Sequence, residues 1–547
     1  MNIKKQINCD VLIVGAGIAG LTAAERAINV FKNVCLATTG RICSGASYFP
    51  LKATLGIQVT KDYNDYGKYY EDIINMGKGV ENPELIKTYI ANIKKDIYLL
   101  KKIGFKPWLR NNSRPACFAK YSRNIFLINN WNEARERAKK IFKKNKRLKI
   151  FEDSVLIRII KNNDRVIGAV FQNKDKFFFI KSKAVILATG GIAGNYKNSL
   201  YPKNINGVGN VAALDAGAIA QNMEFIQFIP AYLKPKYNVL FGEHTLKYCI
   251  GMYDINDKLI LDGINNEEIK KILIERSAYA PFSNDFESKE IDLKIPFDGV
   301  KLKYSEDLYK DKEEFYTVYL NWLKNEMNID LLKDDIVITH FAHSCNGGIK
   351  IDSNAFTGVN GLYAVGELSS AIEGANRLGG NSVGGALVFG NNAVKSAYQY
   401  IRKNNFDDFD NIKLNYVEKE FDNWVNDISK DDKENNISKN QVLEDIRNLM
   451  SENLSVVRNR DKIQKVLNKL EDIRNNYSIK ENIKEGSIEI YLIIESVKIL
   501  ALSILEREES RGAHYREDFK CSSDNVYKLQ VTRENNKIII TRKYINN

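Results

Sequence analysis

The chain has 547 residues, too many for one compact core, and its 44% hydrophobic and 27% charged content is that of a globular protein. Its formal charge of +13 comes from 81 Lys and Arg against 68 Asp and Glu, spread thinly, which excludes the concentrated basic face of a nucleic-acid binder. No apolar run is long enough for a transmembrane segment, and seven scattered cysteines without a C-x-x-C spacing exclude a disulfide framework, a zinc site and cysteine-ligated iron–sulfur clusters, so a cytoplasmic location is expected.

The N-terminal MNIKKQINCDVLIVGAGIAGLTAA imitates a secretory signal, with lysines before an apolar run. Its glycines fall at fixed offsets, however, and Glu25 and Arg26 follow without a polar cleavage region, so it reads as folded chain. Cys9 to Val14 is a β-branched apolar strand; Gly15, Gly17, Ala19 and Gly20 form a GxGxxG turn; a helix runs from Leu21 to Val30; a second strand spans Val34 to Ala37. Glycines in that context bring backbone N–H groups and a helix dipole onto a pyrophosphate. The acidic residue that would hold a ribose 2′-OH is absent from Leu36-Ala37-Thr38-Thr39, which counts against NAD and keeps FAD open, with the Thr38 hydroxyl facing a ribose.

Helices are expected at Pro83 to Ile103 and Trp131 to Lys144, then strands at Ser154 to Ile160, Arg165 to Gln172 and Lys176 to Ile180. A buried strand, Ala184 to Leu187, ends in Ala188-Thr189-Gly190-Gly191, a small-residue turn suited to passing close to a cofactor. Residues 226–334 change to a Lys-, Asn- and Tyr-rich composition and read as an inserted domain. A strand at 361–367 leads into EGANRLGGNSVGGALVFG, where six glycines surround Arg377 and let the backbone approach a ligand. The region 405–512 is helical, and the tail alternates around Glu534-Asn535-Asn536 as a hairpin. The fold class is α/β: a Rossmann-like FAD-binding domain (1–225 and 335–404), an inserted α+β capping domain (226–334), a helical domain (405–515) and a short β tail (516–547).

VGAGIAGLTAA, ATGG, HSCNGGIKID, GLYAVGELSS, EGANRLGGNS and ESRGAHYRED, in this order, resemble the fumarate reductase and succinate dehydrogenase flavoprotein family, including L-aspartate oxidase. The resemblance spans most of the chain and implies FAD. Ser44 and Gly45 join the first flavin motif; Gly366 and Glu367 would face the ribityl and pyrophosphate region; Ser382 and Val383 would open a helix aimed at the flavin pyrimidine edge, favouring the anionic reduced form. Arg41 to Ser47 contains no histidine for covalent attachment, so the FAD is expected to be non-covalent. Val208 stands where the family carries an aspartate facing the flavin.

The resemblance assigns His343 and Arg377 to a substrate carboxylate, Arg276 to proton donation and Glu243 to feeding it protons; His244 is an alternative, while His340 and His514 read as structural. Two departures affect one end of the substrate: Ile229 replaces a histidine and Gly242 a threonine that anchor the second carboxylate of fumarate or succinate. The expected activity is hydride transfer between flavin N5 and a carbon next to a carboxylate, on a substrate less like fumarate at its far end. L-Aspartate oxidase-like oxidation and a non-catalytic electron-transfer subunit are the other readings. The expected partners are a small carboxylate and a separate electron-transfer protein.

Overall fold

The computed structural model describes residues 3–49, 51–406, 408–429 and 437–545, so positions 430–436 of the helical region lie outside it. β1 (Ile3–Val14) is fully buried over VLIV, its last four residues, as a central parallel strand must be. It continues through a glycine turn into α1 (Ile18–Val30) and then β2 (Val34–Ala37), which pairs parallel with it, Val14 opposite Ala37. On the other side of β1 lies the strand Lys176–Leu187, with Val14 opposite Leu187, and beyond that Leu362–Ala364, with Ala364 opposite Leu187. Three parallel strands therefore finish at one level. The turns that follow them, beginning at Gly15, Ala188 and Val365, converge on the carboxyl edge of the sheet, where folds of this kind bind ligands.

The two strands expected at 176–180 and 184–187 are one strand of 12 residues. The polar interruption at Lys181 is no turn, because its ammonium donates to the carbonyls of Asp410 and Ile412 at 3.4 and 3.0 Å and can stay in the sheet. The long helix expected from 83 divides into Pro83–Asp96 and Leu99–Lys102, with helical dihedrals kept at Ile97 and Tyr98.

The inserted segment builds its own antiparallel sheet, in the order Val239–Leu240, Ile226–Lys234, Ile336–Cys345, Val300–Tyr304, Cys249–Tyr253, over a separate core containing Tyr232, Phe241, Leu302 and Ile338. This sheet runs past residue 334, since Ile336–Cys345 pairs with both Ile226–Lys234 and Val300–Tyr304. That strand carries the chain, and His343 with it, from the cap toward the first sheet.

Four longer helices follow, Leu414–Ile428, Lys439–Asn453, Arg460–Asn475 and Ser487–Glu506. The tail hairpin, Tyr527–Glu534 and Lys537–Tyr544, turns through Asn535 and Asn536, both at positive φ (49° and 62°), as a two-residue hairpin turn requires. It pairs with Ala220–Gln221, so the end of the chain is stitched into a sheet of the FAD-binding region. A buried ion network locks this junction: Arg507 bonds Glu224 Oε1 at 2.5 Å and Glu509 Oε1 at 2.6 Å, and Arg511 holds Glu509 through two bonds of 2.9 Å.

Candidate active site

A cleft opens where the three strand ends converge. Of the cofactor residues expected from the sequence, Gly15, Gly17, Ala19, Thr38, Ser44, Gly45, Ala188, Thr189, Gly190, Gly366, Glu367, Ser382 and Val383 line it. Gly20 does not; it lies against Gly15, where a Cβ would collide with the Gly15 carbonyl, so its role is to seat α1 on the turn. Gly15 itself has φ 110°, and a Cβ there would strike the Ala188 carbonyl.

The helix Asn381–Lys403 starts at the cleft, with Gly380 in the left-handed conformation (φ 87°) and Ser382, Val383 and Ala386 in the wall. A second helix, Val208–Asp215, also opens on it, and Val208 is part of the lining. Thr189 Oγ1 is buried with no partner inside the chain. Glu367 bridges the cleft floor: Tyr201 donates its hydroxyl to Oε2 at 2.6 Å and the Cys345 amide donates to Oε1 at 2.9 Å. Burial still pushes the Glu367 carboxyl up to about 7 against those two bonds.

At one end of the cleft stand His343 and Arg377. Arg377 Nη2 donates to His343 Nε2 at 3.2 Å, and its Nε donates to Gln227 Oε1 at 3.1 Å. A guanidinium only donates, so Nε2 of His343 accepts and Nδ1 carries the proton. That Nδ1 is buried without a partner, and burial together with the Arg377 charge holds the imidazole neutral, its pKa well below the usual value. The pair offers a charged fork and an orphaned N–H donor to an incoming anion.

A second cavity, of about 290 Å³, adjoins this end. The segments 52–56 and 377–380 form the shared wall: Lys52, Leu55 and Arg377 face the cleft, while Ala53, Thr54, Gly379 and Gly380 face the cavity. Ile229, Leu240, Phe241, Trp108, Ile125 and Val318 make most of the cavity wall apolar, with Arg110, Asn112 and Arg114 as polar members of the same lining. Gly242 and Glu243 also line it. The Gly242 amide donates to Tyr319 at 2.7 Å, and a Cβ at 242 would press on the rings of Tyr319 and His244. The space that a threonine side chain needs is thus filled by Tyr319, a partner that the sequence motif gave no means of finding.

Glu243 is buried, with Oε1 unpartnered; burial outweighs the opposing charge of Arg276 and pushes its carboxyl up to about 8. Arg276 lines neither the cleft nor the cavity. It is fully buried, held by Asp292 through Nε at 2.7 Å and Nη2 at 3.1 Å, with Nη1 on the Tyr279 carbonyl at 2.7 Å. His340 bonds the same aspartate at 3.0 Å, and His514 bonds Arg458 at 2.9 Å. Asp292 was invisible to motif reading because it lies 16 residues from Arg276 in a stretch without pattern.

A Rossmann-type sheet with a glycine turn at its edge, a capping sheet that delivers a histidine, and an arginine facing it define a flavin-dependent oxidoreductase. Residues 10–244 and 259–383 match the family described as FAD binding domain, and residues 443–545 match the fumarate reductase flavoprotein C-term family. The chain belongs to the fumarate reductase, succinate dehydrogenase and L-aspartate oxidase family of FAD-dependent oxidoreductases. It is 28% identical to an uncharacterized FAD-dependent oxidoreductase of Methanocaldococcus jannaschii, over 93% of each chain. An L-aspartate oxidase of Clostridium acetobutylicum is also 28% identical, over 71% of this chain and 88% of the other. Escherichia coli quinol fumarate reductase shares the fold, with a TM-score of 0.77 at 20% identity over 98% of this chain and 97% of that one.

The cleft fits FAD on its own chemistry: side-chain-free turns at Gly15 and Gly17, two helix N-termini, and an orphaned Thr189 hydroxyl. No helix among the described residues is long and apolar enough to cross a membrane.

Proposed function

We propose that the protein moves a hydride between its flavin and a carbon next to a carboxylate, in a substrate whose far end is apolar. One observation carries this reading: both departures from the dicarboxylate pattern, Ile229 and Gly242, line a largely apolar cavity beside the His343–Arg377 pair. Arg377 and the Nδ1–H of His343 take the single carboxylate, and the tail of an unsaturated monocarboxylate enters the cavity. Bound FAD supplies a reversible two-electron hydride donor and acceptor.

Glu243 holds a proton near neutral pH and faces the cavity, so we assign it the proton given to the second carbon. Arg276, fixed by Asp292, acts on Glu243 as a neighbouring charge. The cofactor contacts are the cleft-lining residues, and attachment is non-covalent. The electrons come from or pass to a separate cytoplasmic electron-transfer protein.

The test is anaerobic. The reduced holoprotein is mixed with fumarate, crotonate or cinnamate and the visible flavin band is followed. Fast reoxidation by crotonate or cinnamate and slow reoxidation by fumarate is the expected result; the reverse order overturns the reading. A second reading, oxidation of L-aspartate, draws on the C. acetobutylicum relative. It predicts bleaching of the oxidised flavin by L-aspartate in the same cuvette.

A further inference from the structure

Lys52 is a cation that the flavin motifs do not account for. It lines the cofactor cleft together with Ala46, Ser47 and Leu55, on the side of His343 and Arg377. Of its three N–H donors, one is engaged by the Ala46 carbonyl at 2.7 Å. The ring of Trp131 lies 5.0 Å from Nζ, and the Trp131 indole donates to the Lys52 main-chain carbonyl at 3.1 Å, which fixes the backbone that carries the side chain. Neither Lys52 nor Arg377 has a carboxylate within ion-pairing distance among the described residues. Two cations thus face one cleft without an ion pair, and its one lining carboxyl, Glu367, is taken up by Tyr201 and the Cys345 amide, an arrangement that costs desolvation energy until a negative ligand arrives.

We propose that Lys52 is the charge partner of the flavin: its ammonium balances the negative charge that FAD gains on reduction, and the residue takes up a proton as that charge appears. The groups around it agree. Arg135, on the helix Trp131–Lys143, adds positive charge; His343, on the strand Ile336–Cys345, is held neutral; Glu367, which feels the Arg377 charge, is hydrogen-bonded by Tyr201, whose ring packs on His343. Burial and Arg135 lower the Lys52 ammonium to about 7, so it is part-neutral beside oxidised flavin. A new negative charge in the cleft raises that value, and the change binds a proton. The sign follows. Below neutral pH, Lys52 is charged in both redox states and supports reduction fully; above it, the ammonium must first be protonated, and the support fades.

The inference rests on bound FAD and not on the substrate. Its test is the midpoint potential of the holoprotein, set by dye equilibration from about pH 6 to about pH 9, in the parent, Lys52→Met and Lys52→Arg. Lys52→Met is expected to shift the flavin equilibrium toward the oxidised form by at least about tenfold on the acid side, about 30 mV for a two-electron couple, with the gap closing above about pH 7. Lys52→Arg, which keeps its charge, should match the parent at low pH and exceed it at high pH. Parent and Met potentials that coincide at every pH overturn the proposal, as does an equal loss in both variants. If Lys52→Met fails to retain FAD, the Arg variant decides alone: a pH curve parallel to the parent's overturns it. Unchanged potentials with a weakened spectral response to crotonate assign Lys52 to the substrate instead, which also overturns it.

Discussion

Arg377 Nη2 stands 3.2 Å from His343 Nε2, so a residue of a glycine-rich loop is oriented by one near the end of the capping-sheet strand Ile336–Cys345. The pair joins a strand of the capping sheet to the glycine-rich loop, and it presents a guanidinium to the cleft. Arg377→Ala is expected to leave a bound carboxylate unpaired, at about 3–5 kcal/mol, and to lower kcat/KM for the carboxylate acceptor by at least about 100-fold. Arg377→Lys should recover only part of this, because a point charge does not replace the fork. FAD content, read from visible absorbance, should stay at the parental value in both.

Ile229 and Gly242 separate in their tolerance of the residues found in fumarate-binding relatives. Ile229 sits on the wall of an open cavity, so Ile229→His should fold and speed reoxidation of the flavin by fumarate. Gly242→Thr should instead displace Tyr319, whose hydroxyl lies 3.0 Å from that of Tyr232 in the capping core, at about 1–3 kcal/mol of overpacking. Thermal unfolding of the two variants side by side checks this. A parental Tm for Gly242→Thr would show that Tyr319 does not hold the space.

The sheet and its glycine turn were legible because both are local: VLIV marks a buried strand, and Gly15, Gly17 and Gly20 follow at fixed offsets. The same holds for the Asn535–Asn536 hairpin. What could not be read depends on residues distant in sequence. Lys181 stays in a strand because carbonyls at 410 and 412 reach it; Arg276 is withdrawn from the cavity by Asp292; Gly242 is small because Tyr319, 77 positions on, needs the room. Motif reading placed His343 and Arg377 in one site but gave no reason to suspect Lys52 beside them.

Attachment of the cofactor is checked by denaturation. Gly45 lies against the turn that precedes α1, where a Cβ at 45 would come within 3.1 Å of the Gly17 Cα, and no histidine lies between residues 41 and 47. Acid precipitation of the holoprotein should therefore leave its FAD in the supernatant. A yellow, flavin-bearing pellet would contradict non-covalent binding.

The junction of tail and flavin domain depends on Glu509, which accepts from both Arg507 and Arg511. Glu509→Ala removes the carboxylate that Arg511 pairs with and leaves Arg507 to Glu224 alone, and should cost about 3–5 kcal/mol. Because Arg511 also holds the carbonyls of Lys78 and Ser523, limited proteolysis should cut first near the 516–526 connection to the tail hairpin. Parental protease resistance in Glu509→Ala would mean that the network is dispensable.

Glu243 gives a prediction whose sign is fixed by burial. Its carboxyl is raised to about 8 in the folded chain, against about 4.3 when exposed. Between those values the unfolded chain releases a proton that the folded one keeps, so this residue makes the fold less stable as pH rises from about 4 to about 8 and adds no further change above that. Glu243→Gln removes the effect, and its Tm should gain on the parent progressively across this window. Activity moves the other way. If Glu243 delivers the proton to substrate, kcat/KM of the parent falls as pH passes about 8, and the Gln variant loses turnover at every pH while its flavin remains reducible. A Gln variant that retained the parent's rate and its alkaline limb would place the proton donor elsewhere in the site.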